Sequence, residues 1–505
     1  MSAPPPLQPI HVFDGSGLSI ARIEELSHRA GPVDLSPQAW ERIAAARAIV
    51  ERELASGAAI YGTNTGIGSQ KDAAVADRLL AEFSNRMIVS EATDFPGAPA
   101  AEPVVRACLV VLINTIAGGR TGVRPELVRR LLKLYAAEHM PTVRDDTSYG
   151  TADLTPLSQL SLAVLGLSID ERAPVLGTRF DLAPKESVSL IDNNSFALGS
   201  GALVLVEVER LLAAFDLAAA TALEGFRGGL WPHTESAAGR RAKGQDFSRQ
   251  NLLRALAGSR LHRPDEARFL QDPLSFRSIT QIHGAAYEAW EWARKQFEGE
   301  INASVDNPLV DLASEELVTS SSMVSLLPTL SMDALRQALA KVAIQSMERA
   351  LKLQSPPFSG LPVGLAEEGA PDGGVLSLNL NYIGSARMGS LMAAAAPVFL
   401  HYIGHTADGV EDVTSLLPLS VSQTRTVIDR AWDAVALEMA IAVWAIARRG
   451  LALTDLGGGP RQVCQLVLPL LHIGEEGKRV FNMRQIVAAV RDPEVGGLPL
   501  PTTHA

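Results

Sequence analysis

Six runs in this chain repeat leucine, isoleucine, valine and alanine at three- and four-residue steps, and that period limits the fold more than any other feature. Residues 41–57, 104–119, 125–139, 202–226, 332–353 and 425–450 all carry it. A turn of 3.6 residues gathers such positions into one stripe, so each run reads as a helix with a face to bury. In "ALVLVEVERLLAAFDLAAATALEGF" (202–226) the apolar residues occupy more than one face, as expected of a helix enclosed inside a bundle or between subunits. Alternation at step two, the mark of a half-buried strand, is scarce. The expected fold class is all-α.

Breaks fall at "FRGGLWPHTES" (226–236) and "SPPFSGLPVGLAEEGAPDGG" (355–374), both rich in glycine and proline and read as exposed loops. No internal repeat shows, and no low-complexity linker divides the 505 residues. With 47% hydrophobic residues the chain can bury a large core, while a net charge of −11 without a basic patch argues against a nucleic-acid partner. Cys108 and Cys464 are the only cysteines, too few for a disulfide framework and wrongly spaced for zinc. The first residues lack the pattern of a secretory signal, and no stretch long enough to span a bilayer is free of charges. A cytoplasmic location and a small-molecule partner are expected. No metal is expected either: His401 and His405 stand four apart on a helix that the sequence suggests, with no third ligand in view.

Seven short segments do not read as ordinary helix. They are "YGTNTGIG" (61–68), "GGRTGVRPEL" (118–127), "ADLTPLSQLSLAVLG" (152–166), "PKESVSLIDNNS" (184–195), "LQDPLSFRS" (270–278), "EINASVDNPLV" (300–310) and "DGVEDVTS" (408–415). Any one alone is a glycine- or proline-punctuated turn. Their order along the chain resembles that of the histidine and phenylalanine ammonia-lyase family, whose members carry a methylidene-imidazolone electrophile. The resemblance implies an N-terminal lobe bearing active-site loops (1–220), then a central bundle of long helices with C-terminal helices (221–505). It also implies a homotetramer whose active sites combine loops from three subunits.

In that family an Ala-Ser-Gly triad cyclises and loses two waters to make the electrophile. The stretch "RDDTSYGTADLTPLSQ" (144–159) keeps the family frame from Tyr149 to Ser158 but places Gly150, Thr151 and Ala152 at the triad. Ala152 puts a Cβ where the backbone must fold tightly, and dehydrated Thr151 would leave a methyl on the alkene carbon that a substrate amine attacks. Asp192 replaces an asparagine that supports the ring, Leu274 a second tyrosine, and Met323 stands near a ring-packing phenylalanine. The expectation is that the prosthetic group is absent and no other cofactor takes its place.

Other groups are kept. By resemblance Tyr61 is the base, usable if a positive or polar neighbourhood pulls its pKa down. Arg277, in "QDPLSFR" with Gln271, matches the arginine that grips the substrate carboxylate, and Glu411 matches the glutamate of the histidine-specific enzymes. Glu91 replaces a histidine that touches the substrate ring. Asn64, Asn193, Tyr382 and Ile383 complete the expected substrate contacts, Ile383 standing where some members have a basic residue and Arg387 lying one turn on. Carboxylates around one arginine suit a substrate with a fixed cation and ring N–H donors. A trimethylammonium departs as a neutral amine without electrophilic help. The chain therefore resembles the ergothionase branch, which eliminates trimethylamine from ergothioneine, with hercynine as a related betaine. Two other readings stay open: an ammonia-lyase or 2,3-aminomutase in which Gly150-Thr151-Ala152 cyclises, and an inactive scaffold homologue.

Overall fold

The computed structural model describes residues 9–238, 242–366, 379–471 and 482–491. Helices dominate it, and four are long: Ser195–Phe226, Ile279–Ile301, Leu326–Leu353 and Leu417–Arg448. The only sheets among the described residues are two strand pairs. His11–Phe13 runs parallel to Val33–Leu35, with His11 opposite Val33, and Leu309–Asp311 runs antiparallel to Glu316–Val318.

The described chain divides into two compact units. Unit 1 comprises Met1–Val206, Ala293–Ser331 and Val398–Ser422, and unit 2 comprises Glu207–Trp292, Met332–Pro397 and Gln423–Ala505. A single cut after residue 220 does not reproduce this, because four of the divisions fall inside the four long helices. Periodicity runs unbroken through such helices, so a sequence reading sees no boundary in them.

In unit 1 two helix starts are capped by serine side chains. Ser19 caps Ile20–Ser27 by accepting from the Arg22 amide (3.2 Å), and Ser36 caps Pro37–Ala55 in the same way, with proline at the first turn. Helix Glu102–Ala117 is buried from Val105 to Ala117, which explains its all-round apolar pattern; Ile20–Ser27 packs against it. Leu80–Glu91 packs on Leu154–Leu165 and Glu186–Ile191, so the segments that flank the loops share one core.

Unit 2 holds a fully buried ion pair. Arg349 on Leu326–Leu353 donates from Nη2 to Glu438 Oε2 (2.9 Å) on Leu417–Arg448. Such a pair fixes register more than it adds stability, since desolvation offsets most of the attraction. The segment 226–236 is not the exposed loop expected: Gly228, Gly229, Leu230, Pro232 and His233 are buried, and Asp272 accepts from the Gly229 amide at 2.6 Å. Of 355–374, residues 355–366 include the short helix Pro356–Ser359, and the remainder lies outside the described residues. His401 and His405 sit in irregular chain, not on a helix, so their spacing places them on no common face. No described helix is long and apolar enough to cross a membrane.

Candidate active site

Five loops of unit 1 enclose a cavity of about 850 Å³. The first begins at Tyr61. Gly62 and Gly68 adopt φ of +63° and +53°, the left-handed region that glycine enters without a Cβ penalty. Asn64 holds this turn, its Oδ1 accepting from the Ile60 amide (2.6 Å) and its Nδ2 donating to the Ala58 carbonyl (2.7 Å). Tyr61 Oη accepts from the Gly68 amide at 3.0 Å, which orients the phenol.

The second loop carries Tyr149, Gly150, Thr151 and Ala152. It is stitched to residues 413–416 by three bonds: the Leu416 amide to Tyr149 O (3.1 Å), Ser415 Oγ to Gly150 O (2.7 Å) and Thr151 Oγ1 to Val413 O (2.9 Å). Ala152 is forced to φ +58°, a costly place for a residue with a Cβ. Four of the nine described non-glycine residues with positive φ, Ala152, Ala407, Asp408 and Leu416, lie in this loop or its partner. Asp153 anchors the loop, accepting from Ser148 Oγ (2.8 Å) and the Ala197 amide (2.8 Å); burial lifts its pKa to about 6.

Helix Glu186–Ile191 presents Asp192 at its end. The residue is 8% exposed and lines the cavity, and its carboxylate accepts no hydrogen bond among the described residues. Burial first, then the Asp306 charge, raises its pKa to about 8, against the opposing pull of Lys185. Lys185 itself is committed to Asp306 at 2.7 Å. Thr319, Ser320 and Met323 come from the fourth loop and Thr406, Glu411 and Asp412 from the fifth.

The cavity therefore gathers Tyr61, Glu91, Thr151, Ala152, Asp192, Met323 and Glu411 of the residues expected from sequence, with Gly150 buried beside them. Others go elsewhere. Asn64 does not line it, and Asn193 spends its amide on backbone, donating to Ser189 O (3.3 Å) and accepting from the Ser195 amide (3.0 Å). Arg277, Gln271, Leu274, Tyr382 and Ile383 belong to unit 2 and are not among the lining residues. Tyr382 is 75% and Leu274 63% exposed. The Arg277 guanidinium has no hydrogen bond or ion pair among the described residues, although its Nε is buried. Tyr149 and Thr406 line the cavity unforeseen. The sequence placed Tyr149 only in the frame beside the triad, and Thr406 carried no signal.

Electrostatically the cavity favours cations. Glu91, Asp192, Glu411 and Asp412 face it against one basic side chain, Lys71, which is paired with Asp72. Burial and then the Glu411 charge raise Glu91. Tyr61 is raised too, by burial first and then by Asp192 and Glu411, with the Gly68 amide opposing. This corrects the expectation of a pKa pulled down: the charges that act on the phenol are carboxylates, which raise it.

The alanine that opens the family triad would not fit at Gly150. A Cβ at Gly150, as in the alanine that opens the family triad, would lie 2.4 Å from Ser415 Oγ and 3.0 Å from the Leu416 amide nitrogen. The Thr151 hydroxyl, which dehydration must remove, is bound to Val413 O.

Comparison with known proteins places this arrangement. The pattern of the aromatic amino acid lyase family matches residues 18–467. Histidine ammonia-lyase from Stigmatella aurantiaca is 29% identical over 95% of this chain and 96% of its own. That from Anaeromyxobacter sp. (strain K) is 30% identical over 87% and 90%. Ergothionase from Treponema denticola, solved with desmethyl-ergothioneine sulfonic acid, superposes with a TM-score of 0.88 at 25% identity, covering 97% of this chain and 99% of that one. The chain belongs to the aromatic amino acid lyase family and is a carbon–nitrogen lyase with similarity to ergothionase.

Proposed function

We propose that this lyase eliminates trimethylamine from the betaine of an imidazole-bearing amino acid, ergothioneine or hercynine, without a methylidene-imidazolone group. The observation that carries the reading is Asp192: a nine-tenths buried carboxylate, facing the cavity and accepting no hydrogen bond among the described residues. An uncompensated buried acid is costly, and a fixed cation in the substrate is the partner it lacks. The ligand-bound ergothionase relative agrees with such a substrate.

The step balances without an electrophile. Tyr61 takes the β-proton, the C–H electron pair becomes the alkene, and the C–N pair leaves with neutral trimethylamine. The raised Tyr61 phenol becomes usable when the substrate's own cation enters, because a positive neighbour favours phenolate. Glu91 and Glu411 receive the ring N–H donors. Arg277 provides the bidentate grip for the carboxylate, delivered by another subunit, since the family assembles its sites from three. On this reading Gln271, Leu274, Tyr382 and Ile383 arrive the same way.

A second reading, ammonia release from histidine, is favoured by the histidine ammonia-lyase relatives. One experiment separates the two: the purified protein is incubated with ergothioneine, hercynine and histidine, and trimethylamine and ammonia are measured separately. Trimethylamine from a betaine, together with an intact mass equal to that of the sequence, supports the proposal. Ammonia from histidine with a mass lighter by two waters overturns it.

A further inference from the structure

Tyr149 immediately precedes the degenerate triad, and its phenol is spent on Glu411. Tyr149 Oη donates to Glu411 Oε2 at 2.5 Å and meets Thr406 Oγ1 at 2.9 Å, while Thr406 Oγ1 lies 2.9 Å from the same Oε2. Two hydroxyls thus converge on one oxygen of the carboxylate. The other, Oε1, accepts no hydrogen bond among the described residues, on a side chain that lines the cavity.

The frame around this triangle is bridged by backbone hydrogen bonds. Thr406 and Glu411 are bridged by their backbones, Thr406 N to Glu411 O (3.0 Å) and Glu411 N to Thr406 O (3.3 Å). The turn between them passes through Ala407, Asp408 and Gly409, all at positive φ. Tyr149 is fixed from the opposite side by its carbonyl bond to the Leu416 amide. Strained backbone of this kind persists where the surroundings over-determine it and concentrates at functional sites.

We propose that Tyr149 and Thr406 are positioning residues that hold Glu411 with Oε1 presented to a ring N–H of the substrate. The loop that delivers the electrophile in ammonia-lyases delivers here a phenol that serves ring recognition. The inference rests on the proposed imidazole-bearing substrate. Tyr149 stays a donor throughout, its pKa pushed up to about 12 by burial and by the Glu411 bond. A charge-assisted bond to the carboxylate restricts its rotation and leaves one oxygen aimed.

The test uses the whole protein, wild type, Tyr149→Phe and Thr406→Val. Binding of hercynine, ergothioneine, histidine and the trimethylated betaine of phenylalanine, which has no ring N–H, is measured by calorimetry, and turnover is followed by amine release. Tyr149→Phe is expected to raise KM or Kd for the imidazole compounds about 10–100-fold with kcat little changed, and to leave the phenylalanine betaine unaffected. Thr406→Val acts in the same direction more weakly. Tyr149→Phe combined with Glu411→Gln is expected to be no worse than Glu411→Gln alone, since Tyr149 acts through that carboxylate. Equal losses for the imidazole and phenylalanine betaines, or no loss for either, overturn the inference while wild-type trimethylamine release still upholds the proposed function. A wild-type protein that binds none of the imidazole compounds overturns both.

Discussion

Asp192 changes the character of the cavity with one atom's difference from the asparagine it replaces. Its pKa of about 8 means that the carboxyl is mostly protonated at neutral pH, and a bound cation must draw the proton off. The sign follows: below pH 8 binding releases a proton, so affinity for a trimethylammonium betaine rises with pH from about 6 to 8 and then levels. Calorimetry in two buffers of different ionisation enthalpy reads the proton directly, and Asp192→Asn should abolish both the release and the pH slope. The same raised pKa costs stability at neutral pH, because the unfolded carboxyl ionises from near pH 4 upward and the folded one does not until near 8. Asp192→Asn is therefore expected to raise Tm at pH 7.5 by about 2 °C or more while impairing turnover. A Tm that falls would show Asp192 to be a structural acid. Tyr61 is linked to it: Tyr61→Phe should lower kcat by about 10²–10⁴-fold with betaine affinity nearly kept. Activity that survives this change would remove Tyr61 as the base.

At the scale of elements, the triad loop is closely tied to its neighbour. Its three bonds to residues 413–416 close it onto the strand of chain that bears Glu411, and glycine at 150 is what lets the two approach. Gly150→Ala restores the family's residue type at that position yet places a Cβ 2.4 Å from Ser415 Oγ at φ +91°. A destabilisation of about 1–3 kcal/mol is expected, with at least a tenfold rise in KM for the imidazole betaines as Tyr149 moves; thermal unfolding and the concentration dependence of amine release measure the two effects. An unchanged Tm would mean that the loop is looser than its bonds imply. The sequence made the long helices legible because their period is local, and it made Tyr61, Asp192 and Glu411 legible because each stands in an ordered motif. It could not disclose the Tyr149–Thr406–Glu411 triangle, which joins residues 257 and 262 positions apart. Nor could it show that Asn64 and Asn193 serve the backbone, since an amide in a glycine-rich turn reads the same whether it faces ligand or chain.

For the whole molecule the question left by the proposed function is Arg277. It lies in unit 2, outside the lining residues, and its guanidinium makes no hydrogen bond or ion pair among the described residues, which is a costly arrangement for a buried Nε without an anion. Tyr382, Leu400 and Tyr402 are more than 70% exposed in the single chain, large apolar surface of the kind that association covers. Both features fit a site completed by another copy. Two variants, each inactive by itself, decide the matter: Tyr61→Phe lacks the base and Arg277→Ala lacks the clamp. If base and clamp come from different copies, mixed oligomers formed by co-expression contain sites in which the Arg277→Ala copy gives Tyr61 and the Tyr61→Phe copy gives Arg277. With equal amounts and random assembly about one site in four is then intact, and trimethylamine release should recover toward a quarter of the wild-type rate. If base and clamp belong to one chain, no mixed oligomer holds a complete site and the mixture stays as inactive as its components. Size-exclusion chromatography of the mixture confirms that the copies have assembled, so that continued inactivity counts against the shared site and not against assembly.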